Sequence, residues 1–251
     1  MLDRSQICFV LLPGFAPDYR PVLILQKALE RHGYKVIPSN FFGETPIKNF
    51  SQLTISQCQN EIARLIGNAA KIHSQVIGIG ISLGGALLLE HAKTYDNLAG
   101  IISIGTPFRL RYRPLVYLGK LLMPVVYPLW RIIDERYKNL RLPPLGAGPM
   151  VVRYLEGEFL NNLEKINAPT LFLHSKKDWV TDYRALSRFS VTLSSHYKRT
   201  IFFENGNHVV DHDPERITRY IQEFLYTMEG NHKISQSMDT SELTLEPSPA
   251  E

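Results

Sequence analysis

Six short apolar runs, separated by stretches of helical periodicity, set the tightest limit on what this chain can fold into. They are ICFVLLP, YKVIPS, QVIGIGI, LAGIISIGT, TLFLHS and RTIFFEN, starting at residues 7, 34, 75, 98, 170 and 199. Runs of this kind, apolar throughout and separated by helices, belong to strands buried on both faces of a parallel sheet. The intervening helices are read at PVLILQKALERHG, SQCQNEIARLIGNAAKI, LGGALLLEHAKTY, DYRALSRFSVTLSS and PERITRYIQEFLYTM. Pro21 suits a first helical turn and Gly33 a C-terminal stop. With 251 residues, 44% of them hydrophobic, there is enough chain for one sizeable core of this α/β type.

The rhythm breaks once. Residues 107–160 are rich in proline, tyrosine and leucine, and the prolines forbid one long helix. An insertion between two strands of a finished sheet is expected to fold over one edge as a helical cap, so the core is read as residues 1–106 and 161–228, with 107–160 as cap or lid. Between Pro107 and Arg153 stand nine Lys and Arg residues against Asp134 and Glu135. Solvated charge is the bland reading of that run. Interleaved with tyrosine, leucine and tryptophan, it also fits an apolar acyl pocket with a basic outer face that meets an anionic membrane surface. No nucleic-acid reading module accompanies the charge, so nucleic acid is not expected as a partner. Residues 229–251 carry five acids and Lys233, and are expected to be disordered. The opening MLDRSQICFVLLPG, an apolar run broken at Pro13-Gly14, resembles neither signal peptide nor membrane span, which makes the cytosol the expected compartment. Cys8 and Cys58 form neither a disulfide framework nor a metal cluster.

Glycines crowd one turn, VIGIGISLGG. The spacing fails the dinucleotide fingerprint, which would need a glycine at Leu83, and no phosphate loop of the G-x-x-x-x-G-K-[ST] kind is present. A turn that merely packs closely, and a serine mounted on a tight strand-to-helix turn, are the readings that remain. There the flanking positions must be small, and Gly80 and Gly84 stand two residues either side of Ser82. Such a turn puts Ser82 at a helix N-terminus, with the Leu83 N–H facing negative charge that develops on a substrate oxygen.

A serine needs a base to take its proton and an acid to orient that base. His208 lies just past the last strand, and Asp178 at the end of the strand before it. Ser82, Asp178 and His208 therefore all fall at strand carboxyl ends. Asp182 is a possible substitute acid, although its place beside a helix favours a cap; Glu204, within a strand, is a poorer one. His174 is read as a core or sheet-edge residue, and His32, His73, His91 and His196 as surface positions. HVVDHDPE brings His208, Asp211, His212 and Asp213 close in sequence, but without metal-ligand spacing; Asp213-Pro214 reads better as the opening of the last helix.

With LLPGF, GISLGG, HSKKDWVT and NGNHVV in these places, the chain resembles the α/β-hydrolases, and within them the carboxylesterase and monoacylglycerol lipase branch. The resemblance covers about residues 7–106 and 160–228. It implies an α/β-hydrolase fold, with Ser82 as nucleophile, His208 as general base and then acid, Asp178 as orienting acid, and Phe15 and Leu83 N–H groups as the oxyanion donors. One departure is plain: the histidine usual in the first loop is replaced by Pro13. The implied activity is hydrolysis of carboxylic esters, acyl or lipid-like, through an acyl-enzyme and without metal or organic cofactor. Thioester hydrolysis or acyl transfer would use the same residues. A ligand-binding or scaffold protein with a slow triad is the remaining alternative, and Pro13 alone speaks for it.

Overall fold

The computed structural model describes residues 3–14, 20–39, 54–111, 148–206, 208 and 213–242. All six expected strands form: β1 (Ile7–Leu12), β2 (Lys35–Pro38), β3 (Gln75–Ile81), β4 (Gly100–Ile104), β5 (Thr170–Ser175) and β6 (Lys198–Phe203). They make one sheet in the order β2-β1-β3-β4-β5-β6, parallel at every pairing.

Side-chain alternation along the buried strands divides the core in two. Cys8, Val10 and Leu12 of β1 point into one layer, and Ile7, Phe9 and Leu11 into the other. Helix α1 (Arg20–Arg31) and helix α6 (Pro214–Glu242) cover the second layer, through Val22, Leu25 and Leu29 and through Ile217, Ile221 and Phe224. The first layer lies under α2 (Ile55–Ala70), α3 (Leu83–Ala92), α4 (Gly148–Glu156) and α5 (Tyr183–Ser190). Each fully buried Leu, Ile or Phe here contributes about 1.5–3 kcal/mol. Helix boundaries follow local chemistry. Thr54 and Gln57 form a reciprocal capping box at α2, and Gly33, at φ +82°, ends α1 in the left-handed conformation that glycine tolerates.

Three expectations meet a different arrangement. The far end of the insertion joins the core instead of standing over an edge: Val151, Val152, Tyr154, Leu155 and Phe159 pack in the layer around α3. Val151, Val152, Tyr154 and Leu155 are buried and Arg153 exposed, a spacing that turns one face of α4 to the core. Residues 112–147, the greater part of the expected cap, lie outside the described residues. At the C-terminus α6 continues to Glu242, past Met228, where the tail was expected to lose structure. Its first turns are anchored by buried residues, and adding residues to an established helix is far easier than starting one. Residues 243–251 lie outside the described part. Finally, His91 is buried, not exposed; its ring stacks on Tyr95 and meets Asn97 Oδ1 at 3.1 Å.

The register aligns the carboxyl ends of the strands along one edge: Leu12 pairs with Gly80, Gly80 with Ser103, Ile104 with Leu173, and Ser175 with Phe203. Strand order reverses at β1, and the crevice beyond the strand ends at such a point is where ligands bind in open α/β sheets.

Candidate active site

Ser82 follows β3 immediately and precedes α3. Its backbone sits at φ +52°, ψ −119°, and among the described residues only Asn162 shares a positive φ without being glycine. Such strain persists only where the surroundings impose it. Two imposing contacts are visible: the Ser82 N–H donates to Ile104 O at 2.7 Å, and no side chain fits at the flanking glycines. A Cβ on Gly80 would overlap the Gly85 backbone, and one on Gly84 would overlap the carbonyls of Leu12 and Pro13. The elbow is therefore tight enough that the turn after β1 lies directly against the first turn of α3.

That contact brings the first loop to the serine. A Cβ built on Gly14 would stand 3.0 Å from Ser82 Cβ. Phe15, expected to offer the second oxyanion N–H, lies outside the described residues. Leu83 is the first residue of α3, so its N–H has no intrahelical acceptor and is open to an anion at the helix N-terminus.

The three separated residues converge. Ser82 Oγ lies 2.7 Å from His208 Nε2, and His208 Nδ1 lies 2.8 Å from Asp178 Oδ2. Burial grades along this chain: Ser82 and His208 are half-buried, while Asp178 is fully enclosed. Burial would favour the neutral acid, yet hydrogen bonds from His208 and Thr181, with the His174 imidazole close behind, outweigh it and hold the Asp178 carboxyl well below its ordinary range. The carboxylate is thus an ion that only accepts, which fixes a proton on His208 Nδ1 and leaves Nε2 as the acceptor towards Ser82.

The other candidate groups stand elsewhere. Asp182 caps α5, accepting from the Arg184 N–H at 3.1 Å. Glu204 falls just past β6, mostly exposed and paired with Lys176. Asp213 accepts from the N–H groups of Glu215 and Arg216 at the start of α6. Asp211 and His212 lie outside the described residues, and among the described ones no group of three potential ligands gathers for a metal.

Several supporting residues escaped the sequence reading. Gly105, at φ +59° after β4, packs so closely under the His208 carbonyl that a Cβ there would overlap it. The Ser175 hydroxyl donates to Gly206 O at 2.9 Å and accepts from Lys177 N–H, joining the loop of Asp178 to the loop of His208. Thr181 and His174 surround the acid. A glycine directly after a strand was the one available sign for Gly105. Nothing local marks the other three, because their partners are remote or lie across a loop of undetermined shape. The start of the insertion is also fixed here: Leu110 bridges Thr181, with Arg111 N–H donating to Val180 O and Asp182 N–H to Arg109 O, both at 2.9 Å.

Comparison with known proteins bears on this arrangement. The family described as serine aminopeptidase, S33, matches residues 4–215. No curated protein sequence matches the chain. Among solved structures, a metagenome-derived lipolytic enzyme of the LipS and LipT pair is 22% identical, with a TM-score of 0.72 over 89% of this chain and 94% of its own. The monoacylglycerol lipase of Paleococcus ferrophilus is 20% identical, at 0.65 over 88% and 94%. Est1E from Butyrivibrio proteoclasticus is 16% identical, at 0.63 over 90% of each chain. At these identities the likeness establishes the fold.

Proposed function

The chain belongs to the serine aminopeptidase S33 family of α/β-hydrolases, and from that premise we propose that it is a serine hydrolase of carboxylic esters, acyl or lipid-like. The observation that carries this reading is the hydrogen-bonded chain from Ser82 through His208 to a buried, ionised Asp178. In it, His208 Nε2 takes the hydroxyl proton as Ser82 Oγ attacks the ester carbonyl. The negative charge that forms on the carbonyl oxygen meets the Leu83 N–H, with Phe15 N–H as the second donor. His208 then gives its proton to the departing alcohol, the acyl-enzyme remains on Ser82, and water activated by the same imidazole releases the acid. Asp178 keeps the imidazole in the productive tautomer and balances its charge as it becomes imidazolium. The sequence of steps draws on no metal or organic cofactor.

A fluorophosphonate probe tests the assignment. It should label the wild-type protein covalently and leave Ser82→Ala unlabelled; folded wild type that takes no label refutes it. The leaving group is resolved by a panel of p-nitrophenyl esters of rising acyl length run beside aminoacyl anilides. Rising activity with acyl length supports an acyl ester substrate, cleavage of anilides alone would assign the aminopeptidase activity named for the family, and thioesters added to the panel test that variant.

The basic, aromatic-rich insertion supports an acyl-binding cap with an outer face directed at anionic lipid. Among the described residues no helix is long and apolar enough to cross a membrane, so the proposed contact is peripheral. Sedimentation with vesicles containing anionic lipid, but not with neutral vesicles, is the expected result; equal binding to both refutes the electrostatic contact.

A further inference from the structure

Asp178 has more partners than the orientation of one histidine requires. Its Oδ1 accepts from the N–H groups of Val180 and Thr181 at 2.7 and 3.0 Å. Its Oδ2 accepts from the Thr181 hydroxyl at 2.6 Å and from His208 Nδ1 at 2.8 Å. On the far side stands a second imidazole: His174 Nε2 lies 2.7 Å from Thr181 Oγ1 and 3.3 Å from Asp178 Oδ2. His174, Asp178 and Thr181 are all fully enclosed.

The protons in this cluster follow from counting donors. An ionised carboxylate has none, so the single hydrogen of the Thr181 hydroxyl points at Oδ2. The hydroxyl oxygen then faces His174 with a lone pair, and His174 Nε2 must carry a hydrogen to meet it. Hydrogen bonds therefore run in one direction from His174 through Thr181 into the carboxylate, which His208 meets from the opposite side. Since the carboxylate torsion is intrinsically broad, backbone donors at Oδ1 alone would let Oδ2 swing. Thr181 closes that freedom by holding both oxygens, one with its N–H and the other with its O–H.

We propose that His174 and Thr181 are positioning residues of this site: His174 fixes the direction of the Thr181 hydroxyl, and Thr181 sets the angle and basicity of the Asp178 oxygen presented to His208. This rests on the reading of Ser82, His208 and Asp178 as a catalytic triad. Neither residue touches substrate, and both act through Asp178.

Thr181→Val removes the hydroxyl at nearly constant volume, and Thr181→Ser restores it. The low-field proton resonance of His208 Nδ1–H, identified by its loss in His208→Ala, is read in each variant together with kcat, KM and fluorophosphonate labelling. In Thr181→Val the resonance should move and kcat should fall roughly tenfold or more with KM unchanged, and Thr181→Ser should return both to wild-type values. An unmoved resonance with kcat within twofold of wild type overturns the proposal, as does failure of Thr181→Ser to rescue. Should Thr181→Val not fold, His174→Gln, which keeps a donor, is compared with His174→Phe, which has none; equal kcat and resonance positions in the two overturn it. A wild type that takes no label, but whose resonance still moves in Thr181→Val, overturns the serine-hydrolase reading and supports the arrangement around Asp178.

Discussion

The turn at Ser82 and the loop of Asp178 hold their residues in place by opposite means. At the elbow the constraint is steric: Ser82 is kept at positive φ because Gly80 and Gly84 let the surrounding backbone close in from both sides. At the acid loop the constraint is polar, with both oxygens of Asp178 occupied by donors and the carboxyl shut away from water. The difference matches the role proposed for each residue. A nucleophile has to leave one side open to substrate, so it cannot be surrounded by hydrogen bonds. A permanently charged acid that never leaves its partner is best fixed by filling every lone pair. Damage to the two regions should therefore look different, one showing as misfit and the other as wrong protonation.

Asp178→Asn tests the polar side most severely. The amide oxygen can keep the backbone donors of Val180 and Thr181, so the fold should persist. Its NH2 would then face His208 Nδ1 and force the imidazole into the other tautomer, with Nε2–H pointing at Ser82. Ester hydrolysis at neutral pH should fall on the order of 10⁴-fold, with the circular dichroism spectrum unchanged. A loss of less than tenfold would mean that Asp178 does not set the tautomer.

Gly84→Ala tests the steric side. Its Cβ would overlap the carbonyls of Leu12 and Pro13, pressing the first loop away from Ser82. Overpacking of this kind costs about 1–3 kcal/mol, and displacing the loop proposed to carry the second oxyanion donor by an ångström or so should lower kcat by about 10²-fold. Both effects should appear together, in the urea midpoint and in turnover. Unchanged stability would show that the loop yields without strain, and that the elbow is less confined than its contacts imply.

The sequence disclosed the two regions unequally. Steric demand leaves a local mark, since glycines placed two residues either side of a serine, straight after an apolar run, match the needs of a tight elbow and fail those of a nucleotide loop; Ser82 and its turn were legible for that reason. Strand ends were legible too, because all six apolar runs form strands, and so the neighbourhoods of Asp178 and His208 could be named. Polar closure leaves no such mark. His174 looked like a core or sheet-edge residue and nothing singled out Thr181, and only the fold brings one against the other. Gly105 illustrates the same limit, since the carbonyl that leaves no room for a side chain there belongs to residue 208. The insertion misled for a further reason: a rule about where extra segments go in a finished sheet does not say that all of the segment stays out, and α4 had an apolar face able to pack on α3.

Acid titration separates the two regions by the smallest effect. The folded-state carboxyl of Asp178 is held below its unfolded value, so the stabilisation it provides is fully present above the unfolded pKa of about 3.9. It is lost as pH falls from there through the folded-state value, because protonation costs the native state the donors that an ionised carboxylate accepts. The stability of wild type in urea unfolding should therefore weaken from about pH 4 down to the lowest pH at which the protein stays native, by roughly one or two kcal/mol. In Asp178→Asn that component should be missing and the difference between the two proteins should shrink steadily on acidification. Gly84→Ala, whose defect involves no titrating group, should instead run parallel to wild type across the same range. Parallel curves for Asp178→Asn would mean that the buried carboxylate is not what its hydrogen bonds stabilise, and the contrast between a polar and a steric anchor would fail at its polar end.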